Sequence, residues 1–324
     1  MTNVLITGCT GFIGSNLTRR LVQDGFEVYG LVRHTSRSEL DSLRPVMDRV
    51  HFIEGDLCEF HSLASAIGSS QPQFVLHLGA LTPVRLSYED PFPYIRTNLL
   101  GTCNLVHSIL DKAPRAKLIA ASTAEVYGWQ GSEPLKEDTR LRPSSPYAVS
   151  KTSADEYLQM AMEIYGLKAT VLRCNNTYGR KTEKGFLVEY LVTSMLDGGP
   201  VYVGAPDHVR DYMWVDDHVN AYLLSMEKEA AQGEVFNVSP GNPISNIDLA
   251  KKLADRLHFE GQIVEGSYPP GYPMRPAKLD QKYIVLDASK IREKLGWKPS
   301  VTLDKGMTIV IEHWKSRSRR TDET

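Results

Sequence analysis

A glycine-punctuated turn near the start of the chain limits the fold more than any other feature. Val4 to Thr7 is a short strand-like apolar run, and Gly8-Cys9-Thr10-Gly11-Phe12-Ile13-Gly14 follows it directly. From Ile13 to Gln23 the apolar residues recur at helical spacing. Strand, Gly-rich turn and helix in that order open a sheet that binds a dinucleotide. Gly8 permits the tight turn, Gly11 lets backbone approach a pyrophosphate, and Gly14 lets the helix pack on the sheet. The helix N-terminus offers free N–H groups and a positive dipole end to phosphates. Three glycines also fit an ordinary βα turn, so it is their place in the first βαβ unit that favours the dinucleotide.

The rest of the first half keeps the same rhythm. Strands are expected at Val28 to Val32, Val50 to Ile53, Phe74 to Leu78, Leu118 to Ala121 and Ala169 to Arg173. Helices are expected near Leu63 to Ile67, from Tyr94 to Leu110 and from Pro146 to Tyr165. This alternation predicts an α/β fold: a Rossmann-type, doubly wound parallel sheet covered on both faces. After about residue 176 Gly and Pro become frequent, as in Gly198-Gly199-Pro200 and Pro240-Gly241-Asn242-Pro243. Residues 1–176 therefore read as the dinucleotide-binding domain. Residues 177–314 read as a smaller α/β substrate-binding lobe, from which some chain returns to the large sheet. Residues 315–324 read as a polar tail that frays.

Composition narrows the partners. The 324 residues carry a net charge of −2, so no basic balance favours nucleic acid. The chain lacks the apolar run of about 18 residues that a membrane span needs. Met1-Thr2-Asn3 leads straight into a strand, so no secretory leader is expected. The 4 cysteines lie far apart without a Cys-x-x-Cys pair, which predicts reduced thiols rather than a disulfide or metal framework. A cytoplasmic protein without a metal is the expectation.

The end of the second strand bears on the cofactor. NAD sites place Asp or Glu there to hold the ribose hydroxyls. Here the stretch is Leu31-Val32-Arg33-His34-Thr35-Ser36-Arg37, without an acid. Arg33 is placed to stack on adenine or pair with a 2′-phosphate, with Ser36 and Arg37 assisting. NADP is therefore favoured over NAD, unless these are merely solvated loop residues. Asp56 sits where a loop reaches the adenine amine.

The chemistry is concentrated in Ser145-Pro146-Tyr147-Ala148-Val149-Ser150-Lys151. Ser144 or Ser145 suits an N-cap and Pro146 the first helical position. Tyr147 and Lys151 then share a helix face at i and i+4. A free phenol has a pKa near 10, but an ammonium and an oxidised nicotinamide both stabilise its anion. Tyr147 thereby becomes a usable general base for a sugar hydroxyl. The stretch Ala121-Ser122-Thr123-Ala124-Glu125-Val126-Tyr127-Gly128 begins at a strand end, where Thr123 can bridge Tyr147 and a substrate oxygen.

Together the Gly8/Gly11/Gly14 turn, Thr123, Tyr147 and Lys151 resemble the extended short-chain dehydrogenase/reductase family, in its nucleotide-sugar epimerase/dehydratase branch. Further stretches agree. They are His77-Leu78-Gly79-Ala80, Asn98-Leu99-Leu100-Gly101-Thr102, Arg173-Cys174-Asn175-Asn176-Thr177-Tyr178-Gly179, Val209-Arg210-Asp211-Tyr212, Met274-Arg275-Pro276 and Leu295-Gly296-Trp297-Lys298-Pro299. The resemblance implies that Phe12, Ile13, Leu57, Leu78, Gly79, Ala80 and Asn98 join the cofactor set. It implies substrate contacts at Thr82, Val84, Thr123, Asn176, Phe186, Leu187, Tyr202, Arg210 and Arg275, the two arginines clamping a diphosphate. It also implies a homodimer built on the helices near Tyr94 to Leu110 and Pro146 to Tyr165.

The implied first step is common to the branch: Tyr147 takes the proton of the sugar 4-hydroxyl as its hydride moves to the nicotinamide. The 4-keto sugar then has several fates. A 4-epimerase is the first expectation. A 4,6-dehydratase or decarboxylase using Glu125 as base comes next, then an NADPH-dependent 4-keto-sugar reductase. Many 4,6-dehydratases carry Thr-Asp-Glu where this chain has Thr123-Ala124-Glu125, so the usual acid is missing. Dehydratases of GDP-mannose and decarboxylases of UDP-glucuronate also lack that Asp while keeping the Glu. A non-catalytic NADP-binding regulator would tend to lose Thr123, Tyr147 and Lys151, and all three are present.

Overall fold

The computed structural model describes residues 2–272 and 281–321, apart from the side chains of residues 34–39 and 319–321. Six strands alternate with helices: β1 (Asn3–Thr7), β2 (Glu27–Val32), β3 (Val50–Glu54), β4 (Phe74–His77), β5 (Lys117–Thr123) and β6 (Ala169–Cys174). A seventh, Glu234–Val238, pairs with β6. All pair in parallel, and the sheet reads Glu234–Val238, β6, β5, β4, β1, β2, β3. The doubly wound sheet expected from the alternation is therefore present. The strand order reverses between β1 and β4, and there the carboxyl ends open a crevice for a ligand.

Period-two alternation sends β1 into two cores. Val4 and Ile6 pack with Leu17, Leu21 and Val28 on one face, and Leu5 packs with Leu63, Ile67 and Leu105 on the other. Both faces are apolar because helices cover both, as a parallel sheet requires. The expected long helix after β4 is in fact broken. A π-helical stretch, Ile95–Leu100, leads into the α-helix Gly101–Lys112. His34–Arg49 is a 3₁₀ segment that the sequence pattern did not announce.

The smaller lobe has its own core around Val188, Leu191, Leu253 and Met307, with small strands such as Val201–Val203 and Val209–Asp211 at its edge. Its chain is not contiguous, because the helix Val215–Glu227 puts Val219 and Tyr222 into the large-sheet core. The final helix, Leu303–Thr321, runs through most of the stretch expected to fray. Its Met307, Val310, Ile311 and Trp314 are buried at helical spacing and fix it to the lobe. Trp297 closes the C-terminal segment, donating to the Asp217 carbonyl at 3.0 Å. No helix among the described residues is long and apolar enough to cross a membrane.

Candidate active site

The glycine turn is built as its spacing demands. Gly8 has φ +72°, and a Cβ there would lie 2.7 Å from the Gly79 nitrogen. A Cβ at Gly14 would lie 2.0 Å from the Gly8 carbonyl oxygen, so only glycine lets helix and turn meet. The helix begins at Phe12, and its N-cap, Gly11, supplies no capping side chain. Its first N–H groups are thus left for an anion.

This turn floors a cavity of about 1400 Å³, larger than the roughly 300–1,000 Å³ of a single-ligand pocket. Gly8, Gly11, Phe12, Ile13, Gly14, Arg33, Asp56, Leu57, Leu78, Gly79 and Ala80 all line it, as do Thr82, Phe186, Tyr147 and Lys151. Arg33 is exposed on its wall. Asp56 spends one oxygen on the Cys58 N–H at 2.8 Å. A phosphate-binding turn, an exposed arginine at the end of β2 and a Tyr/Lys pair on one wall fit a nicotinamide dinucleotide, with room left over.

Asn98 was expected to touch the cofactor but lies behind the wall, 1% exposed. Its amide exchanges hydrogen bonds with Leu81, accepting from N–H at 2.8 Å and donating to C=O at 3.0 Å. It also donates to Ser150 Oγ at 3.0 Å. Asn98 therefore ties the cavity loop to the catalytic helix, and its π-helical setting aims the amide there.

The catalytic helix, Pro146–Ile164, starts as predicted: Ser145 Oγ accepts from the Ala148 N–H at 3.0 Å, with Pro146 in the first turn. Tyr147 and Lys151 are buried at the cavity wall. Lys151 Nζ donates to the Ala121 carbonyl at 2.6 Å, fastening the helix to the end of β5. Burial lowers the Lys151 pKa to about 8 while Asp155 opposes the shift, so the amine stays mostly protonated at neutral pH. Burial pushes the Tyr147 phenol up, a Thr123 hydrogen bond pulls it down, and the Glu125 charge adds to the rise. Thr123 also accepts from the Glu125 N–H at 3.3 Å, which sets Thr123 and Glu125 together beside the phenol. Neither is part of the dinucleotide-facing wall.

Most of the expected substrate contacts lie elsewhere. Leu187 packs against the lobe core, as an apolar side chain at that helix start should. Val84, Asn176, Tyr202 and Arg210 do not line this cavity. Arg210 is 7% exposed and donates to its own strand at the Val209 carbonyl, 2.8 Å away. Arg275, like the side chains of Ser36 and Arg37, lies outside the described residues. Conversely, Arg180 and His218 line the cavity without having been singled out. Their signal was faint: Arg180 directly follows the Asn175–Gly179 stretch, and His218 meets Thr177 only through the fold, at 2.9 Å.

A doubly wound sheet carrying a glycine turn and a Tyr/Lys pair on one cavity, with Thr123 behind the phenol, defines a short-chain dehydrogenase/reductase. The chain belongs to the nucleotide-sugar epimerase/dehydratase branch of that family, its residues 5–310 matching the family described as GDP-mannose 4,6 dehydratase. It is 32% identical to a probable dTDP-glucose 4,6-dehydratase of Sinorhizobium fredii, over 95% of this chain and 91% of that protein. Among solved structures it resembles UDP-glucose 4-epimerase of Thermotoga maritima, crystallised with UDP-glucose. That match has TM-score 0.87 and 31% identity, covering 98% and 99% of the two chains. It also resembles the dTDP-glucose 4,6-dehydratase of Streptomyces venezuelae with NAD bound, at TM-score 0.86 and 28% identity over 97% of each chain.

Proposed function

We propose that the protein is a 4,6-dehydratase of a nucleotide-diphosphate hexose. The expectation of a 4-epimerase gives way because the matching family and the curated relatives carry the dehydratase name. The observation that carries the reading is the pairing of Glu125 with Tyr147 at the end of β5. A dehydratase needs a second base, for the C5 proton, and an epimerase does not.

Tyr147 accepts the proton of the 4-hydroxyl, with Thr123 holding that oxygen and Lys151 supplying positive charge. Glu125 takes the C5 proton, which the neighbouring 4-ketone has made acidic. Ala124 has no proton to give, so the protonated Glu125 returns its own to the C6 hydroxyl, which leaves as water and gives a 4-keto-5,6-ene. As a hydride returns at C6, Glu125 passes a proton taken up from solvent to C5, which closes the proton balance and puts solvent hydrogen at C5. A nicotinamide held by the glycine turn and the Tyr147/Lys151 wall would supply a reversible hydride acceptor for C4 and C6, leaving no net oxidation. Arg33, with no acid at the end of β2, supports NADP over NAD. Exposed Val149 and Ile164 on the catalytic helix, with Leu100 nearby in sequence to its partner helix, support the expected homodimer. Light scattering tests that pairing.

Incubation with GDP-, UDP-, CDP- and dTDP-hexoses in deuterated water tests the reaction. Loss of water with deuterium at C5 supports the dehydratase. Glu125→Gln then stops water loss while a single hydride transfer from C4 persists. An epimer without C5 deuterium overturns the reading.

A further inference from the structure

The turn after β6 brings a cation from the smaller lobe to the glycine cradle. Glu189, fully buried on the helix Leu187–Leu196, accepts from the Gly179 and Arg180 N–H groups, both at 2.8 Å. Gly179 has φ +109°, and a Cβ there would lie 2.8 Å from the Trp214 ring. The turn is therefore fixed, and it delivers the Arg180 side chain, 11% exposed, to the cavity wall. The guanidinium carbon lies 4.2 Å from the Phe12 ring centre and 3.4 Å from that of Phe186. One nitrogen donates to the Thr177 carbonyl at 2.7 Å. Its Nε faces Glu183 at 3.3 Å, and Nη1 lies 3.9 Å from Glu189.

Phe12 is the first residue of the helix whose uncapped N-terminus opens onto the glycine cradle. A pyrophosphate carries more negative charge than a helix end, roughly half an elementary charge, can offset. Other basic side chains on the wall are committed or distant in role. Arg33 ends β2, Arg96 faces Glu59 at 3.6 Å, and Lys151 holds Ala121. Arg180 lies against the ring that opens the phosphate helix. His218, 3% exposed on the same wall, gives a second and independent sign. Its Nδ1 meets Thr177 Oγ1 at 2.9 Å, and its Nε2 has no hydrogen-bond partner among the described residues. Burial, then the charge of Arg180, hold its pKa down to about 3, so it is a neutral imidazole. A buried polar atom of this kind is normally satisfied; with the Thr177 hydroxyl donating to Nδ1, the neutral ring carries its proton on Nε2 and would donate to a ligand oxygen.

We propose that Arg180, with His218 beside it, is a clamp from the smaller lobe on the pyrophosphate of the dinucleotide. This rests on the cofactor reading above and adds to it how the cofactor is retained. The side chain of Glu183 is 56% exposed, so a phosphate oxygen can replace its carboxylate without leaving the guanidinium unmet. The aromatic slices on both sides hold the planar fork in one orientation before the ligand arrives. Retention matters here because the proposed reaction must return the same hydride to the same sugar. A cofactor gripped by both lobes stays through that cycle.

Titration calorimetry of NAD, NADP and ADP-ribose with the wild type, Arg180→Met and Arg180→Lys tests the clamp, alongside titration with UDP, GDP and dTDP. Arg180→Met should weaken all three cofactor ligands at least about tenfold, about the effect of one charge-assisted contact. Arg180→Lys keeps the charge but not the fork, and should fall between Met and wild type. Nucleoside diphosphate affinity should hold in both variants. Cofactor affinity within twofold of wild type in folded Arg180→Met overturns the clamp. A loss confined to the nucleoside diphosphates also overturns it, by moving Arg180 to the substrate. Failure of the wild type to bind any dinucleotide would instead overturn the cofactor reading itself, and the clamp with it.

Discussion

Tyr147 carries a conflict within one side chain. Burial and then the Glu125 charge oppose its anion, while the Thr123 hydrogen bond favours it. The phenol is therefore a poor base until further positive charge arrives, and an oxidised nicotinamide brings it. Proton removal is in this way tied to the presence of the hydride acceptor. Tyr147→Phe should cost about 10²–10⁴ in kcat, the usual worth of a positioned base, while dinucleotide affinity stays within a few-fold. Steady-state rates and calorimetry check this, and near-normal turnover sinks the role. Arg33 makes a separate claim at the adenosine end. Arg33→Ala should weaken NADP more than NAD, and equal losses would remove the case for 2′-phosphate recognition. These residues were legible in the chain because their chemistry needs fixed local spacing: three glycines in one turn, Tyr147 and Lys151 one helical turn apart. Arg180 and His218 were not, since only the fold brings them to the glycine turn. Asn98 was legible as a motif but misread in role, because its amide faces Leu81 and Ser150 rather than the cavity.

At the scale of elements, the catalytic helix is held in place by a buried ion pair. Arg173 on β6 grips Asp155 through two bonds of 2.9 Å, with side chains 3% and 0% exposed. Ser122 on β5 adds a bond of 2.6 Å to the same carboxylate. Asp155 lies one turn beyond Lys151, so the clasp that joins helix to sheet also supports the lysine charge. Asp155→Asn leaves Arg173 buried without a counter-charge and should cost about 3–5 kcal/mol of stability. Replacing both partners, Asp155→Leu with Arg173→Met, should cost less than that, because a buried pair is worth little against a well-packed apolar substitute. Urea melts of the two variants decide it, and a double variant no more stable than the single contradicts the argument. The first-half strands were legible because short apolar runs recur there between amphipathic stretches, although the 3₁₀ segment His34–Arg49 between β2 and β3 was not. Glu234–Val238 was hidden, being a five-residue run whose partner β6 lies far back in the chain. The final helix was not announced in the sequence, where its polar end at residues 315–324 reads as a fraying tail. Its buried stripe at Met307, Val310, Ile311 and Trp314 sets the helix, and propagation past it costs little.

For the molecule as a whole, two buried histidines set how stability responds to acid. His77 on β4 sits between threonines of β1 and the helix Gly101–Lys112, at 2.8 Å from Thr7 Oγ1 and 3.0 Å from Thr102 Oγ1. His218 joins the helix Val215–Glu227 to the turn after β6. Burial lowers both to about 3, helped at His77 by the Lys151 charge and at His218 by that of Arg180. In the unfolded chain each titrates near 6.5, so between about pH 6.5 and 3 the unfolded state binds protons that the folded state refuses. Stability conferred by these two groups is therefore complete above about pH 6.5 and drains away as pH falls toward 3. From pH 7 to pH 5 each should cost about 2 kcal/mol, or about 4 kcal/mol together. The consequence reaches beyond either residue, because His77 stands under the cofactor floor and His218 on the lobe wall above it. Acid then loosens both halves of one site at once. Urea unfolding at pH 7, 6 and 5 should show the midpoint falling steadily, with His77→Gln flattening the slope by about one proton. An unchanged slope in that variant would mean that His77 is already protonated in the folded protein, and that the threonine pair does not hold it neutral.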